Sequence, residues 1–256
     1  MKPPFPLAPL RREWQIFLLA LGFLSRLPVP PDPDFNQRKL DGAARYFPAV
    51  GLLLGGLMAL ALWGFYSLFS QPLLAVLLCM AVGLLITGAF HEDGLADSAD
   101  GFGGAWQRDD VLRIMKDSRI GSYGSVALLM VLAIKAVSLS ALALPSAMAA
   151  LLLAQPLSRW LAVSYLVDMR YVSGDGKSKP LATAMPGRHW LLAGLAVLPA
   201  LGYFSPAQWL LLAVGLAVLR FTFGRYLQRR LGGYTGDTLG AAQQLSEVLI
   251  YLLLLI

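Results

Sequence analysis

The stretch Phe47–Phe69 contains no charged side chain, and after Ser70-Gln71-Pro72 a second apolar stretch follows over Leu73–Phe90. A helix rises about 1.5 Å per residue and a bilayer core is about 30 Å thick, so about 20 mostly apolar residues cross it. Two such runs joined by a tight turn predict a helical hairpin in a membrane. The pattern recurs. Ser122–Leu144 and Ser146–Val167 are separated only by Pro145. Trp190–Leu201 and Ala207–Leu219 form a third pair turning at Tyr203-Phe204-Ser205-Pro206, with short arms that tilt little or span incompletely. A last helix over roughly Thr238–Ile256 reaches spanning length only by including the polar stretch around Gln243, Gln244, Ser246 and Glu247. Trp14–Leu24 is too short to span and predicts a re-entrant or interfacial N-terminal helix. Lys2, Arg11 and Arg12 precede it as in a signal peptide, but Ser25-Arg26-Leu27-Pro28-Val29-Pro30 offers no small-residue cleavage site. The expected fold is all-α, a polytopic membrane bundle of about six to seven transmembrane helices, forming a single domain over residues 1–256.

Charge agrees with this. Only 14% of residues are charged, against roughly 25% in soluble domains, too few to coat a water-facing surface. The net charge is +6, which in a soluble chain would raise the question of nucleic acid. Here the basic residues are spread without a dense run, and no nucleic-acid-binding signature accompanies them; the lipid bilayer is the expected partner and nucleic acid is not. They are absent from the three tight turns and present in every long connection. These are Arg26, Arg38, Lys39 and Arg45; Arg108, Arg113, Lys116 and Arg119; Arg170, Lys177, Lys179 and Arg188; and Arg220, Arg225, Arg229 and Arg230. By the positive-inside rule all long loops lie in the cytoplasm. The one cysteine, Cys79, stands in an apolar run and has no internal partner.

Seven of the 15 acidic residues fall between Glu92 and Asp117. Asp93, Asp97 and Asp100 stand at i, i+4 and i+7, which on a helix aligns three carboxylates on one face. Like charges so placed repel, and a divalent cation removes that penalty. Hard oxygen donors with a single neighbouring His suit Mg²⁺, with Mn²⁺ as a substitute, better than zinc or copper. The small residues Gly94, Ala96, Ser98, Ala99 and Gly101 are expected to leave room for a bulky phosphate-bearing substrate. His91 either orients a carboxylate or exchanges protons, or is a structural histidine at a helix end.

Two further blocks share this chemistry. Asp117, Gly121 and Gly124 repeat the i, i+4, i+7 spacing; Asp117 is a candidate fourth metal ligand, Lys116 and Arg119 are candidate phosphate donors, and the glycines admit a close approach. Thr235, Asp237 and Thr238 lie in a glycine-rich loop before the last helix, as catalytic or substrate-binding groups, helix caps, or both. Lys135 and Arg159 lie inside apolar helices, where an unpaired charge costs at least about 2.5 kcal/mol, so they either pair with carboxylates or line an anion cavity. Gly51 and Gly55 predict close helix packing.

Together, Ser25–Pro30, Tyr46-Phe47-Pro48 leading into Gly51, the block from His91 to Gly101, the block from Lys116 to Gly124 and Gly232–Ala241 resemble, in order, the adenosylcobinamide-GDP ribazoletransferase (cobalamin synthase) family. The resemblance implies a bacterial inner-membrane enzyme with a cytoplasmic active site. Such an enzyme uses Mg²⁺ to join α-ribazole or its 5′-phosphate to adenosylcobinamide-GDP, releasing GMP. A homo-oligomer, or association with other cobalamin-assembly enzymes, stays open. In that reaction Asp93, Asp97, Asp100 and Asp117 are the expected metal ligands and Asp100 or Asp237 the proton acceptor. A CDP-alcohol-type lipid phosphotransferase shares spaced aspartates at a membrane interface, although its usual motif is not present in that form. A divalent-cation transporter is the non-enzyme alternative, and it needs carboxylates spread across the membrane rather than gathered on one side.

Overall fold

The computed structural model describes residues 7–32, 35–172 and 183–256; Lys2, Lys177 and Lys179 lie outside them. The described residues form helices α1 (Leu7–Leu24), α2 (Gln37–Ala43), α3 (Phe47–Phe69), α4 (Pro72–Thr87), α5 (Phe90–Gly104) and α6 (Arg108–Met115). They continue with α7 (Ser122–Ala141), α8 (Leu144–Asp168), α9 (Gly187–Ala193), α10 (Pro206–Leu231) and α11 (Gly236–Leu253). The sole extended pairing among them is an isolated parallel bridge between Tyr171 and Tyr234.

Among the described residues four segments are long and apolar enough to cross a membrane: Lys39–Phe69, α7, α8 and α10, with the bent pair α4–α5 as a fifth if it counts as one span. The expectation of six to seven spans differs from these four or five candidates at identifiable segments. The arm expected over Trp190–Leu201 is α9 followed by a 3₁₀ helix, Gly194–Ala200, with Pro199 inside it. The last helix spends its polar residues inside the protein: Gln243, Gln244, Ser246 and Glu247 are all buried. The fourth basic connection is no loop either, because α10 continues to Leu231 and carries Arg220, Arg225, Arg229 and Arg230 on its last turns. Basic groups near a helix C-terminus favour the negative end of its dipole.

α8 is the central post, with 83% of its apolar window inside the protein. Gly51 and Gly55 let α3 lie directly on it, since a Cβ there would come within 2.5 Å of the Gln155 carbonyl oxygen and 2.7 Å of that of Leu151. A polar network crosses this core. Glu247 of α11 pairs with Lys135 of α7 at 3.1 Å and accepts from Gln155 of α8 at 2.8 Å, Gln243 at 2.8 Å and the Tyr251 hydroxyl at 2.9 Å. Arg159 donates to the Gln155 side-chain oxygen at 2.7 Å. Gln244 accepts from Lys135 at 2.7 Å and donates to Glu92 of α5 at 2.9 Å. Charges cut off from water survive only when matched this way, and the matching locks α5, α7, α8 and α11 together.

The break between α4 and α5 aims the acidic helix. Gly88 (φ 67°) and Ala89 (φ 57°) both adopt the left-handed region, and the helices meet at 89°. For Ala89 that conformation costs roughly 1–2 kcal/mol. Arg26 closes the bend: its backbone N–H donates to the Ile86 carbonyl at 2.7 Å, and its side chain fills the space any Cβ at Gly88 would need.

Candidate active site

α5 carries Asp93 exposed, Asp97 half-buried and Asp100 buried on successive turns, as their spacing requires. Each meets a different environment. Asp100 is fully engaged: one carboxylate oxygen accepts the backbone N–H of Gly121 at 2.7 Å and the other that of Gly124 at 2.9 Å. Gly121 and Gly124 are the N-cap and third residue of α7, a helix without an N-cap side chain of its own. Asp100 thus caps α7 from another helix, placing a negative charge at the positive end of its dipole. Both glycines are obligatory, because a Cβ at either would lie 2.4 Å from an Asp100 oxygen. The Asp117, Gly121, Gly124 spacing accordingly does not describe one helical face: Asp117 lies in the connection before α7 begins.

Asp97 stands among three like charges, Asp237, Asp93 and Asp100. Asp237 arrives from the far end of the sequence because α11 crosses α5 at two glycines. A Cβ on Gly94 would sit 2.8 Å from the Asp237 carbonyl oxygen, and the Cα atoms of Gly94 and Gly240 face each other in the same contact. Thr235 and Thr238 form the capping box that starts α11, each side chain meeting the other residue's backbone N–H, at 3.2 Å and 2.8 Å. Burial, with the Asp93 charge beside it, pushes the Asp237 carboxyl up to about 6.

Gly94, Ala96, Ser98 and Gly101 do not leave substrate space as expected. All four are buried, Gly94 against α11 and Gly101 against Met115, because they occupy the faces of α5 that pack on its neighbours. Asp117 is paired with Arg119 at 2.7 Å, which holds its carboxyl down at about 2. The structure therefore gathers Asp93, Asp97, Asp100 and Asp237, and leaves Asp117, Lys116 and Arg119 on the exposed α6–α7 connection. Lys135 and Arg159 belong to the core network, beside a cavity of about 30 Å³ that they share with His91 and Glu92. His91 is 6% exposed, its ring edge-on to Phe90.

The donor set suits Mg²⁺ in chemistry, being carboxylate oxygen throughout. Among the described residues no three His, Cys, Asp or Glu side chains converge into a ready metal cage. Mg²⁺ seldom needs one, since it is commonly held by one or two carboxylates together with substrate phosphates and water. The sequence reading missed the Gly94–Gly240 crossing; a glycine one turn into the last helix, four residues from a second small-residue position, was its available signal.

Fold and site together define a polytopic helical membrane protein with a carboxylate cluster assembled where its acidic helix meets its last helix. The family described as cobalamin-5-phosphate synthase matches residues 16–255, and the chain belongs to that family. It is similar to the adenosylcobinamide-GDP ribazoletransferase of Ralstonia pickettii, 46% identical over 243 residues that cover 94% of this chain and 95% of the relative. The protein of the same name from Ralstonia nicotianae is 47% identical, covering 97% and 98%, and that from Vibrio cholerae 49% identical, covering 96% and 95%. No solved structure matches the chain.

Proposed function

We propose that this chain transfers the adenosylcobinamide-phosphate group of adenosylcobinamide-GDP to α-ribazole or its 5′-phosphate, releasing GMP, as the final step of cobalamin synthesis. Full-length similarity to relatives bearing that name supports the reaction. The observation that carries the site assignment is the arrival of Asp237 beside Asp93 and Asp97 through the Gly94–Gly240 crossing.

In this reading a ribose hydroxyl oxygen bonds to the phosphorus next to cobinamide as the bond from that phosphorus to the GMP oxygen breaks. The hydroxyl proton needs an acceptor. Asp100 is poorly placed for that role, since both its oxygens already receive backbone N–H groups. Asp237, which among the described residues accepts only from its own backbone, is left with free lone pairs and takes the proton. Asp93 and Asp97 are the residues that would hold Mg²⁺ or Mn²⁺. Such an ion, when bound, supplies charge neutralisation on the phosphate oxygens. Asp100, through Gly121 and Gly124, is a positioning residue that fixes α7 against α5. The inner membrane is what the family resemblance implies, and the basic residues Arg108, Arg113, Lys116 and Arg119 that follow the acidic helix support a cytoplasmic active site.

The test is a two-substrate assay on the purified protein, with products identified by mass. GMP should form only when adenosylcobinamide-GDP, α-ribazole (or its phosphate) and Mg²⁺ are all present. A transporter forms none, and a lipid phosphotransferase would ignore α-ribazole; either result overturns the proposal.

A further inference from the structure

A cavity of about 690 Å³ receives arginines from three separate elements: Arg108 from α6, Arg170 from the exit of α8, and Arg229 and Arg230 from the end of α10. Among the described residues no carboxylate lines it. We infer that this cavity binds the pyrophosphate of a nucleoside diphosphate, an inference that rests on the function proposed above and locates the GDP part of the substrate.

Two of the four guanidiniums are fixed and two are open. Arg108 donates through Nε to the Leu231 carbonyl at 2.9 Å and, among the described residues, reaches only Asp109, at 3.4 Å, as an ionic partner. Arg230 is held by the Tyr226 hydroxyl at 2.8 Å and by the Ala105 carbonyl, and lies over the rings of Phe102, Trp106 and Tyr226. Arg170 and Arg229 are exposed, and among the described residues neither side chain has a hydrogen-bond or ion-pair partner. Arginines in the last turn of α10 complement its dipole, which accounts for Arg229 and Arg230. It does not account for Arg108 and Arg170, brought there from other elements.

The placement of Arg170 is built. Its carbonyl accepts the Tyr234 N–H at 3.0 Å and Val172 donates to the Tyr234 carbonyl at 2.8 Å, forming the parallel bridge. The close approach needs Gly233, where a Cβ would fall 2.0 Å from the Arg170 oxygen. Like charges gathered with no carboxylate among the described residues repel, and a phosphate anion relieves that while matching the planar fork of arginine. The volume lies within the roughly 300–1,000 Å³ of small-molecule sites. The bridge also joins cavity to cluster: Tyr234 stands three residues before Asp237, and the Asp237 charge acts on the Tyr171 hydroxyl at the cavity wall. A diphosphate held here reaches toward the aspartates. Lys116 and Arg119, the donors expected from sequence, are exposed on the α6–α7 connection.

An anionic lipid headgroup offers the same phosphate chemistry, so the test separates the two sources. The full-length protein in nanodiscs of phosphatidylcholine alone is titrated with GDP and with guanosine. GDP should bind, guanosine at least about tenfold more weakly, and Arg170→Gln and Arg229→Gln should each weaken GDP about 10- to 100-fold, as expected for lost charge-assisted bonds. Arg12→Gln, on α1, should not. In turnover, the two variants should raise KM for adenosylcobinamide-GDP with little change in kcat or in KM for α-ribazole. No GDP binding by the parent, or GDP binding indifferent to both arginines, overturns the inference. Loss of phosphatidylglycerol retention by the variants with unaltered GDP affinity overturns it in favour of a lipid site. If the parent binds GDP through Arg170 and Arg229 yet makes no GMP from the two substrates, the reaction fails and the diphosphate site stands; normal turnover with unchanged KM does the reverse.

Discussion

The carboxylate of Asp100 receives the backbone N–H of Gly121 at 2.7 Å, and by this contact α5 caps a helix whose N-cap residue lies 21 residues later. Asparagine cannot replace it, because one of its two groups would turn an N–H₂ toward a backbone N–H. Asp100→Asn should destabilise the protein by about 1.5–3 kcal/mol, the range for hydrogen bonds to charged groups. Gly121→Ala should cost at least as much, its Cβ colliding with the same oxygen. Thermal unfolding in detergent checks both; an Asp100→Asn protein as stable as the parent would remove the capping role.

Asp97 should behave in the opposite way. It lies among three other carboxylates, so Asp97→Asn relieves repulsion and should raise the melting temperature when Mg²⁺ is chelated. Turnover should fall by orders of magnitude, and added Mg²⁺ should stabilise the parent more than the variant, since a ligand of the native state stabilises in proportion to its affinity. Equal Mg²⁺ responses would exclude Asp97 from metal binding.

Asp237 makes stability depend on pH. Its carboxyl is raised to about 6 from the ordinary 3.8, so between those values the native state binds more protons than the unfolded chain, and the buried charge becomes fully destabilising only above about pH 6. Asp237→Asn should therefore stabilise the metal-free protein at pH 7.5, and the gain should shrink to nothing as pH falls toward 4. A gain independent of pH would show that the Asp237 charge is not the cause.

Glu247 serves as the counter-charge of the core, meeting Lys135 at 3.1 Å with both side chains almost fully buried. Glu247→Gln leaves two cations inside the bundle and should cost about 3–5 kcal/mol. Adding Lys135→Met should restore part of it. If the double variant is no better than the single one, the pair is not coupled.

The orientation is checked by labelling. In intact cells Gln71→Cys, in the α3–α4 turn, should react with an impermeant thiol reagent, and Asp109→Cys, with its side chain 93% exposed at the head of α6, should not. The reverse pattern would place the carboxylate cluster outside.

The apolar runs by themselves determined an all-helical membrane protein and came close to the ends of α3, α7 and α8, because a helix in lipid satisfies its own backbone and its limits are written in local hydropathy. The acidic helix was equally legible, since i, i+4, i+7 spacing is a local property. The same local signals do not fix the number of spans, because an apolar residue that faces lipid and one that faces a neighbouring helix look alike in sequence. What Lys135 and Arg159 pair with, why Gly94 is glycine, and which aspartates share a site were decided by helix crossings between segments distant in the chain. Asp100 and Asp97 are equivalent on a helical wheel and opposite in the fold: one faces backbone donors of α7 and the other faces carboxylates. Only the tertiary structure supplies the neighbour, and the neighbour decides whether a negative charge stabilises or repels.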